Sequence, residues 1–417
     1  MKIVFFTHPA FIGSQSMSRY AALLNEGMKR RGHKVELWYP QPGFFQLPFP
    51  PAIKKWFGYI DQYIIFPIQV RRRLKNYSSD TLFVFTDQAL GPWVPLVADR
   101  PHIIHCHDFL AQRSALGEFA ENHVSWTGRK YQALIRRGYK KGKNFISVSE
   151  KTKQDLHHFL ETIPSFSEVV YNGLTQPFVP GDTEKIRKIL SAKTKIDLND
   201  GYLLHVGGNQ WYKNRSGVIY IYDAWRSLNS KKLPLLFIGE PPSQNLLKTY
   251  KESPYQQNIH FLSDVADKDV CLAYAGASVF LFPSLAEGFG WPVAEAMASG
   301  CPVITTNKAP MTEVAGNAGF LIAAMPANKL QVKEWAIEAG KEIENILSLS
   351  GEEREWIINE GIINSGRFDT EIVLDEIEAI YKKRLTHAKS KEKFSFYHQE
   401  VNTEITRQDQ NNKRIVI

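Results

Sequence analysis

Cysteine is scarce in this chain: Cys106, Cys271 and Cys301 are the only three in 417 residues. Their scatter gives neither metal spacing nor a disulfide framework, so a reducing, cytoplasmic setting is expected. Long apolar runs are missing as well. The longest clearly apolar window, residues 270–286, is broken by Gly276, Ser278 and Pro283. A membrane-spanning helix needs about 20 apolar residues, and none is expected. The N-terminal MKIVFFTHPAFIGS lacks the apolar stretch and cleavage site of a secretory leader and reads as a first strand. No Gly-x-Gly-x-x-Gly follows that strand, which argues against a nucleotide-dependent dehydrogenase. Acidic residues are short only in the first part. Residues 1–175 carry 23 Lys+Arg against 13 Asp+Glu, and the remainder 28 against 30, within a net charge of +8. That basic part suits anionic lipid headgroups or phosphate-bearing acceptors. It holds no recognisable nucleic-acid reading module, so no nucleic-acid partner is expected.

The length and the 43% hydrophobic, 23% charged composition fit a globular protein of two domains. KIVFF, a loop with Gly13, MSRYAALLNEGMKRRG and HKVELWY read as strand, loop, helix and strand. YLLHV, GGNQWYKN, RSGVIYIYDAWRSL and LPLLFIG repeat that plan from residue 202. The repetition predicts two open α/β domains with parallel strands. The turn-rich YNGLTQPFVPGD and a polar helix after it mark the boundary. The expected division is residues 1–175, 176–370, a helix over 371–386, and a polar tail of low order over 387–417.

The stretch SLAEGFGWPVAEAMASG follows an apolar strand, SVFLFPS. Pro292 suits the first helical position, so Gly288-Phe289-Gly290 should lie at a helix N-terminus, where free N–H groups favour an anion. Glu287 and Glu295 flank this turn. Carboxylates repel phosphate but accept hydrogen bonds from sugar hydroxyls. A ligand with a diphosphate and vicinal hydroxyls uses both features, with Glu295 on the ribose and Glu287 on a hexose. A plain strand-to-helix turn, with Glu287 exposed and Glu295 favouring the helix dipole, fits the spacing as well.

PSLAEGFGWPVAEAMASGCPVI, with Glu287 and Glu295 in an E-x7-E pattern, resembles the donor-binding signature of glycosyltransferase family 4. The flanking DKDVCLAYAGASVFLFPSLAEGFG and TEVAGNAGFLI, and the distant RRGHKVELW, ISVSEKTKQDL, VVYNGL and RFDTEIVLDEIEAIY, are similar to that family too. The resemblance implies the GT-B fold: two Rossmann-like domains facing across a cleft, with a last helix crossing back to the first. It implies retaining transfer of a hexose from a nucleotide diphosphate sugar to a saccharide or lipid-linked hydroxyl, by same-face attack. The leaving phosphate would help deprotonate the acceptor.

The resemblance also implies roles. Lys213 would neutralise the diphosphate, and Gly13 would bring backbone close to it. The family arginine five residues before that lysine is absent, because Gly208 stands there. Arg215 or Asn209 is the candidate substitute. In HIIHCHDFL, His107 is the expected histidine near the donor sugar, with His105 as its competitor. The catalytic set is therefore His107, Lys213 and Glu287, and the donor set adds Gly13, Asn209, Arg215, Gly288, Phe289, Gly290 and Glu295. No metal or cofactor is expected. DKD at 267–269 reads as the start of a helix rather than a metal site.

The first domain should take the acceptor. AIKKWFGYIDQYIIF places Ile53, Trp56, Phe57, Ile60 and Ile64 on one helical stripe beside Lys54 and Lys55. Peripheral contact with an anionic membrane follows as an expectation, with an ordinary domain helix as its alternative. A non-catalytic carbohydrate-binding or scaffold protein of the same fold stays open because of Gly208.

Overall fold

The computed structural model describes residues 1–12, 15–48 and 50–387. Gly13, expected beside the donor phosphate, lies outside the described residues, as does residue 388 onward, nearly all of the polar tail.

The first sheet holds β1 (Lys2–Phe6), β2 (Lys34–Trp38), β3 (Thr81–Phe85), β4 (His102–Cys106), β5 (Asn144–Ser147) and β6 (Phe166–Val169). The second holds β7 (Leu203–Val206), β8 (Leu235–Ile238), β9 (Ile259–Leu262), β10 (Val279–Phe282), β11 (Val303–Thr306) and β12 (Phe320–Ile322). Their orders are β2-β1-β3-β4-β5-β6 and β12-β11-β10-β7-β8-β9. Every pairing is parallel. Parallel strands are covered on both faces, which is why VFLF is apolar throughout, TLFVF is apolar after Thr81, and both are wholly buried.

Each sheet is packed between two apolar layers. Phe6, Phe66, Phe83 and Trp93 lie on one face of the first, and Phe5, Tyr20, Leu24 and Val84 on the other. The second sheet is covered likewise, with Tyr274, Phe280 and Val293 on one side and Trp225, Leu281 and Ile343 on the other. Side-chain caps start the helices that matter to the site. Ser149 accepts from Thr152 N before helix 150–160, and Asn214 accepts from Gly217 N before helix 215–228.

The last described helix, residues 370–387, packs on the first sheet rather than the second. Leu374, Ile377 and Tyr381 join Ile3, Phe5 and Leu24 in one cluster. Ion pairs along its edge, Arg30–Glu371 at 2.7 Å and Arg31–Asp375 at 2.6 Å, tie it to the helix after β1. The chain thus crosses between the two sheets twice, near residue 173 and near residue 370. Leu174 N donates to Phe368 O there, at 3.0 Å.

Candidate active site

Open parallel sheets bind ligands beyond the carboxyl ends of the strands, where the strand order reverses. In the first sheet that reversal lies at β1 and β3, in the second at β7 and β10. The loops after these strands, with the loop after β4, carry the polar side chains of the site.

On the second-domain wall, Lys213 Nζ meets Glu287 Oε1 at 2.8 Å. Their side chains are only 14% and 8% exposed, so this is a largely desolvated ion pair. Ser284 Oγ also donates to Glu287 Oε1, at 2.8 Å. Lys213 stands 4.9 Å over the Phe282 ring. A cation and an anion held together here can part to meet a ligand bearing both phosphate and hydroxyl groups. Glu295 lies on the helix Trp291–Ala298, where its Oε2 accepts from the buried Tyr274 hydroxyl at 2.8 Å. Burial pushes the Glu295 carboxyl up to about 7, against the pull of Tyr274, Arg19 and Lys213.

Three details of the sequence reading shift. The helix begins at Trp291, so Pro292 is its second residue and Glu295 stands beyond the first turn. Gly290 is the residue before it, at φ 102°, a left-handed conformation that favours glycine. The Phe289 side chain does not face the cleft. It is 3% exposed and packs in the second domain's core against Phe368 and Trp291, so a ligand would meet only its backbone.

Asn209 and Arg215 lie together, but they serve each other first. Arg215 Nη1 donates to Asn209 Oδ1 at 2.7 Å and to Glu240 O at 3.0 Å, with its guanidinium stacked on Phe237. Asn209 Nδ2 donates to Pro241 O at 2.7 Å. Both therefore brace the loop after β8. A Cβ on Gly208 would run into the Gln210 side chain, so the space beside it is filled from within the same loop.

The first-domain wall separates the two competing histidines. His105 is fully buried, and both ring nitrogens are taken, by the Tyr20 and Tyr381 hydroxyls at 2.7 Å each. Burial pushes it down to about 3. It therefore ties the helix after β1 to the last helix and has no free nitrogen. His107 donates from Nε2 to Thr86 O at 2.9 Å, while its Nδ1 is buried with no partner among the described residues. Burial lowers its basicity, which keeps this ring neutral with Nδ1 a free acceptor. An orphan buried acceptor costs roughly 1–3 kcal/mol until something donates to it.

Sequence reasoning missed three residues of this wall as a group. His8 follows β1, and its Nε2 bonds Asp87 Oδ2 at 2.8 Å. Asp87 follows β3, and its other oxygen accepts Ala89 N at 2.9 Å. Asp108 is pushed up to about 6 by burial and by the nearby charges of Asp87 and Glu287, with Lys213 opposing. His8 and Asp87 each stand just past the carboxyl end of a strand, where open sheets place their ligands, and that signal was present in the sequence.

The walls touch. Gly288 lies directly against the carbonyl of His107, and its own carbonyl accepts from Ser149 Oγ at 2.7 Å and Thr152 Oγ1 at 3.0 Å. Glu313 of the second domain accepts from Glu150 N and Lys151 N, at 2.7 and 2.9 Å, and so caps a helix of the first. At the rims, Phe119 packs on Trp211 with ring centroids 4.7 Å apart, and Arg19 pairs with Asp267 at 3.0 Å. That pairing occupies one acid of DKD, and Lys193 takes Asp269. Both acids lie in the first turn of helix 267–276, and Ala266 is the capping residue. Among the described residues no group of three or more His, Cys, Asp and Glu side chains is placed to hold a metal.

Two Rossmann-like domains facing across such a cleft make the GT-B architecture of glycosyltransferases. Residues 17–175 match the model for Glycosyltransferase Family 4, and residues 200–333 that for Glycosyl transferases group 1. Together the two matches span most of the chain, which belongs to this glycosyltransferase family. It is 32% identical to the O-antigen chain mannosyltransferase B of Escherichia coli over 123 residues, 29% of this chain and 32% of that protein. It is 25% identical to the MMP alpha-(1->4)-mannosyltransferase of Mycolicibacterium hassiacum over 67% of this chain and 69% of that one. The chain thus aligns with only about a third of the first relative. The Anabaena protein HepE, solved with UDP and glucose, superposes with a TM-score of 0.67 at 18% identity, over 92% of this chain and 100% of that chain. WaaG, a glycosyltransferase involved in lipopolysaccharide biosynthesis, gives 0.64 at 18%, over 91% and 99%. These likenesses establish the fold.

Proposed function

We propose that the protein is a retaining hexosyltransferase that moves a sugar, mannose in the first instance, from a nucleotide diphosphate donor to a hydroxyl of a saccharide or lipid-linked acceptor. The observation that carries this is the Lys213–Glu287 pair at the carboxyl ends of β7 and β10, on the wall opposite His107. The choice of mannose leans on the mannosyltransferase relatives alone. Bacterial surface-polysaccharide assembly on the cytoplasmic side is the pathway class that fits them.

In this reading Lys213 leaves Glu287 for the diphosphate and stabilises the charge that grows as the glycosidic bond breaks. Glu287 and the free Nδ1 of His107 accept hydrogen bonds from hexose hydroxyls. Glu295 accepts from the ribose. Domain contact at Gly288 excludes water from the reacting carbon. The ion pair favours catalysis over a scaffold role, because a carbohydrate-binding relic has no need to keep a cation at the leaving group.

The test is thermal stabilisation by a panel of nucleoside diphosphates and nucleotide sugars, followed by release of the nucleotide. A ligand at about 100 times its dissociation constant adds roughly 2.7 kcal/mol. One nucleotide should stabilise the wild type and fail with E295A. K213A should bind it more weakly and turn over about 100-fold more slowly or worse. Full transfer by E287A would overturn the assignment of the donor site, and no response of the folded wild type to any nucleotide would hand the case to the scaffold reading.

A further inference from the structure

The histidines of the first domain differ in how many ring nitrogens are engaged. His33 uses both, on the chain's amino terminus and on Glu378. His102 uses both, on Arg100 O and Lys143 N. His105 uses both, on two tyrosines. These are structural residues. His8 uses one. Its Nε2 is fixed by Asp87, and Nδ1 makes no hydrogen bond among the described residues.

Asp87 settles the tautomer. An ionised carboxylate only accepts, so the proton of a neutral His8 sits on Nε2 and Nδ1 presents a lone pair. Burial works to raise the Asp87 carboxyl, but the bond to His8 and the groups beside it hold it below its usual range. The position is fixed as firmly as the chemistry. Gln88, next to Asp87, accepts from His107 N at 2.8 Å and donates to Asp108 O. One two-residue unit therefore holds both His8 and the backbone of His107. β1, β3 and β4 are neighbours in the sheet, so the two free Nδ1 atoms belong to the same wall.

A lone pair on a half-buried nitrogen selects among ligand groups. A diphosphate at neutral pH offers it no proton, and Asp87 behind it adds negative charge. A sugar hydroxyl does offer one. We propose that His8, held by Asp87, is an acceptor-binding residue: its Nδ1 takes a hydrogen bond from one hydroxyl of the acceptor sugar and so orients a neighbouring hydroxyl for attack. The proposal rests on the transferase reading and adds the specificity determinant on the acceptor side. His8 takes no proton in the reaction. The bond to the donor's anomeric carbon forms as the carbon–phosphate-oxygen bond breaks, its electrons leave with the diphosphate, and the attacking hydroxyl's proton goes to that oxygen.

Water is the control, because it attacks without a second hydroxyl to hold. The donor found in the panel is incubated with the full-length protein and with methyl α-D-mannopyranoside as the probe acceptor, and transfer is compared with donor hydrolysis. H8A should lower transfer roughly 10- to 100-fold, the effect of losing one well-oriented hydrogen bond, with donor hydrolysis and nucleotide-induced stabilisation within two-fold of wild type. D87N should act in the same direction, since an amide can donate to Nε2 and turn Nδ1 into a donor. Unchanged transfer in H8A overturns the proposal. So does loss of nucleotide binding in H8A, which would put His8 on the donor side, and so does a wild type that hydrolyses its donor yet never glycosylates the probe. A wild type that neither binds nor hydrolyses any nucleotide sugar instead sinks the transferase reading itself.

Discussion

Glu295 shows how a single side chain couples this site to pH. Burial carries its carboxyl from the usual 4.5 to about 7. Between those values the folded protein holds a proton that the unfolded chain has released. Its own contribution to stability therefore falls as pH rises from about 4.5 to about 7, and is flat above. Ligand binding runs the other way. Vicinal ribose hydroxyls are donors, and an ionised carboxylate accepts from both, so the bound nucleotide favours the charged form. Affinity for a nucleotide sugar should rise about ten-fold between pH 6 and pH 8, with proton release on binding near pH 6. Calorimetry in buffers of different ionisation enthalpy measures both. E295Q should bind more weakly and without that slope, whereas a slope that survives in E295Q would assign it to another group, Asp108 first.

At the scale of elements, the loop between β10 and its helix does more than cradle a ligand. Gly288 leans on the other domain, where a Cβ would overlap the His107 carbonyl and stand 2.7 Å from Asp108 Cβ. Neither neighbour is the end of a flexible side chain, so G288A must part the domains by the width of a methyl group. That breaks the bonds from Ser149 and Thr152 to the Gly288 carbonyl. The expected outcome is a folded protein with a larger radius of gyration by small-angle scattering and turnover reduced about 100-fold, since small misplacements in a reacting complex are that costly. Unchanged scattering and turnover would mean that the contact is incidental. The sequence foretold much at this scale and erred for clear reasons. The interval from β1 to β2, Lys2 to Lys34, recurs from β7 to β8, Leu203 to Leu235, because strand, helix and strand repeat at one spacing. Helix 215–228 falls where its apolar period put it. The two strand orders were not legible. In the first sheet one strand lies beyond β1, in the second two lie beyond β7, since residues 51–74 form helix where the second domain spends β9. The direction of the Phe289 ring was not legible either, because a turn has no period to set it, and burial in the core decided it. His105 and His107 looked alike in sequence, and only the tyrosines from two distant helices told them apart.

For the molecule as a whole, the basic excess lies in residues 1–175, which also carry a run of exposed apolar side chains. The stripe expected over residues 53–64 is divided by packing: Phe57 and Ile60 turn partly inward, while Ile53, Trp56 and Ile64 are 46%, 58% and 54% exposed. Phe44, Leu47 and Ile68 extend the patch at 40%, 42% and 42%, so it draws on the loop after β2 as well as on helix. A cavity of about 320 Å³, lined by Phe44, Leu47, Ile65 and Gln69 among others, opens within it. Lys54, Lys55 and Arg71 to Arg73 lie beside the patch in sequence, in the part of the chain with the large basic excess. The patch also reaches the site: Phe45 stacks on Phe11, in the loop that begins at His8, with ring centroids 4.6 Å apart. A lipid-linked acceptor entering from a bilayer would thus meet apolar side chains first, cations at its headgroup next, and the acceptor wall last. No described helix is long and apolar enough to cross a membrane, so contact of this kind would be peripheral and salt-dependent. The protein should float with vesicles containing anionic lipid and sink with vesicles of neutral lipid alone. K54E/K55E should weaken flotation by roughly thirty-fold or more, since each surface cation contributes about 1 kcal/mol. W56S should weaken it in high salt as well as low, while transfer to a soluble glycoside stays at the wild-type rate in both variants. A protein that ignores anionic vesicles at low salt would assign this patch to packing against a protein partner and leave the soluble saccharide as the acceptor.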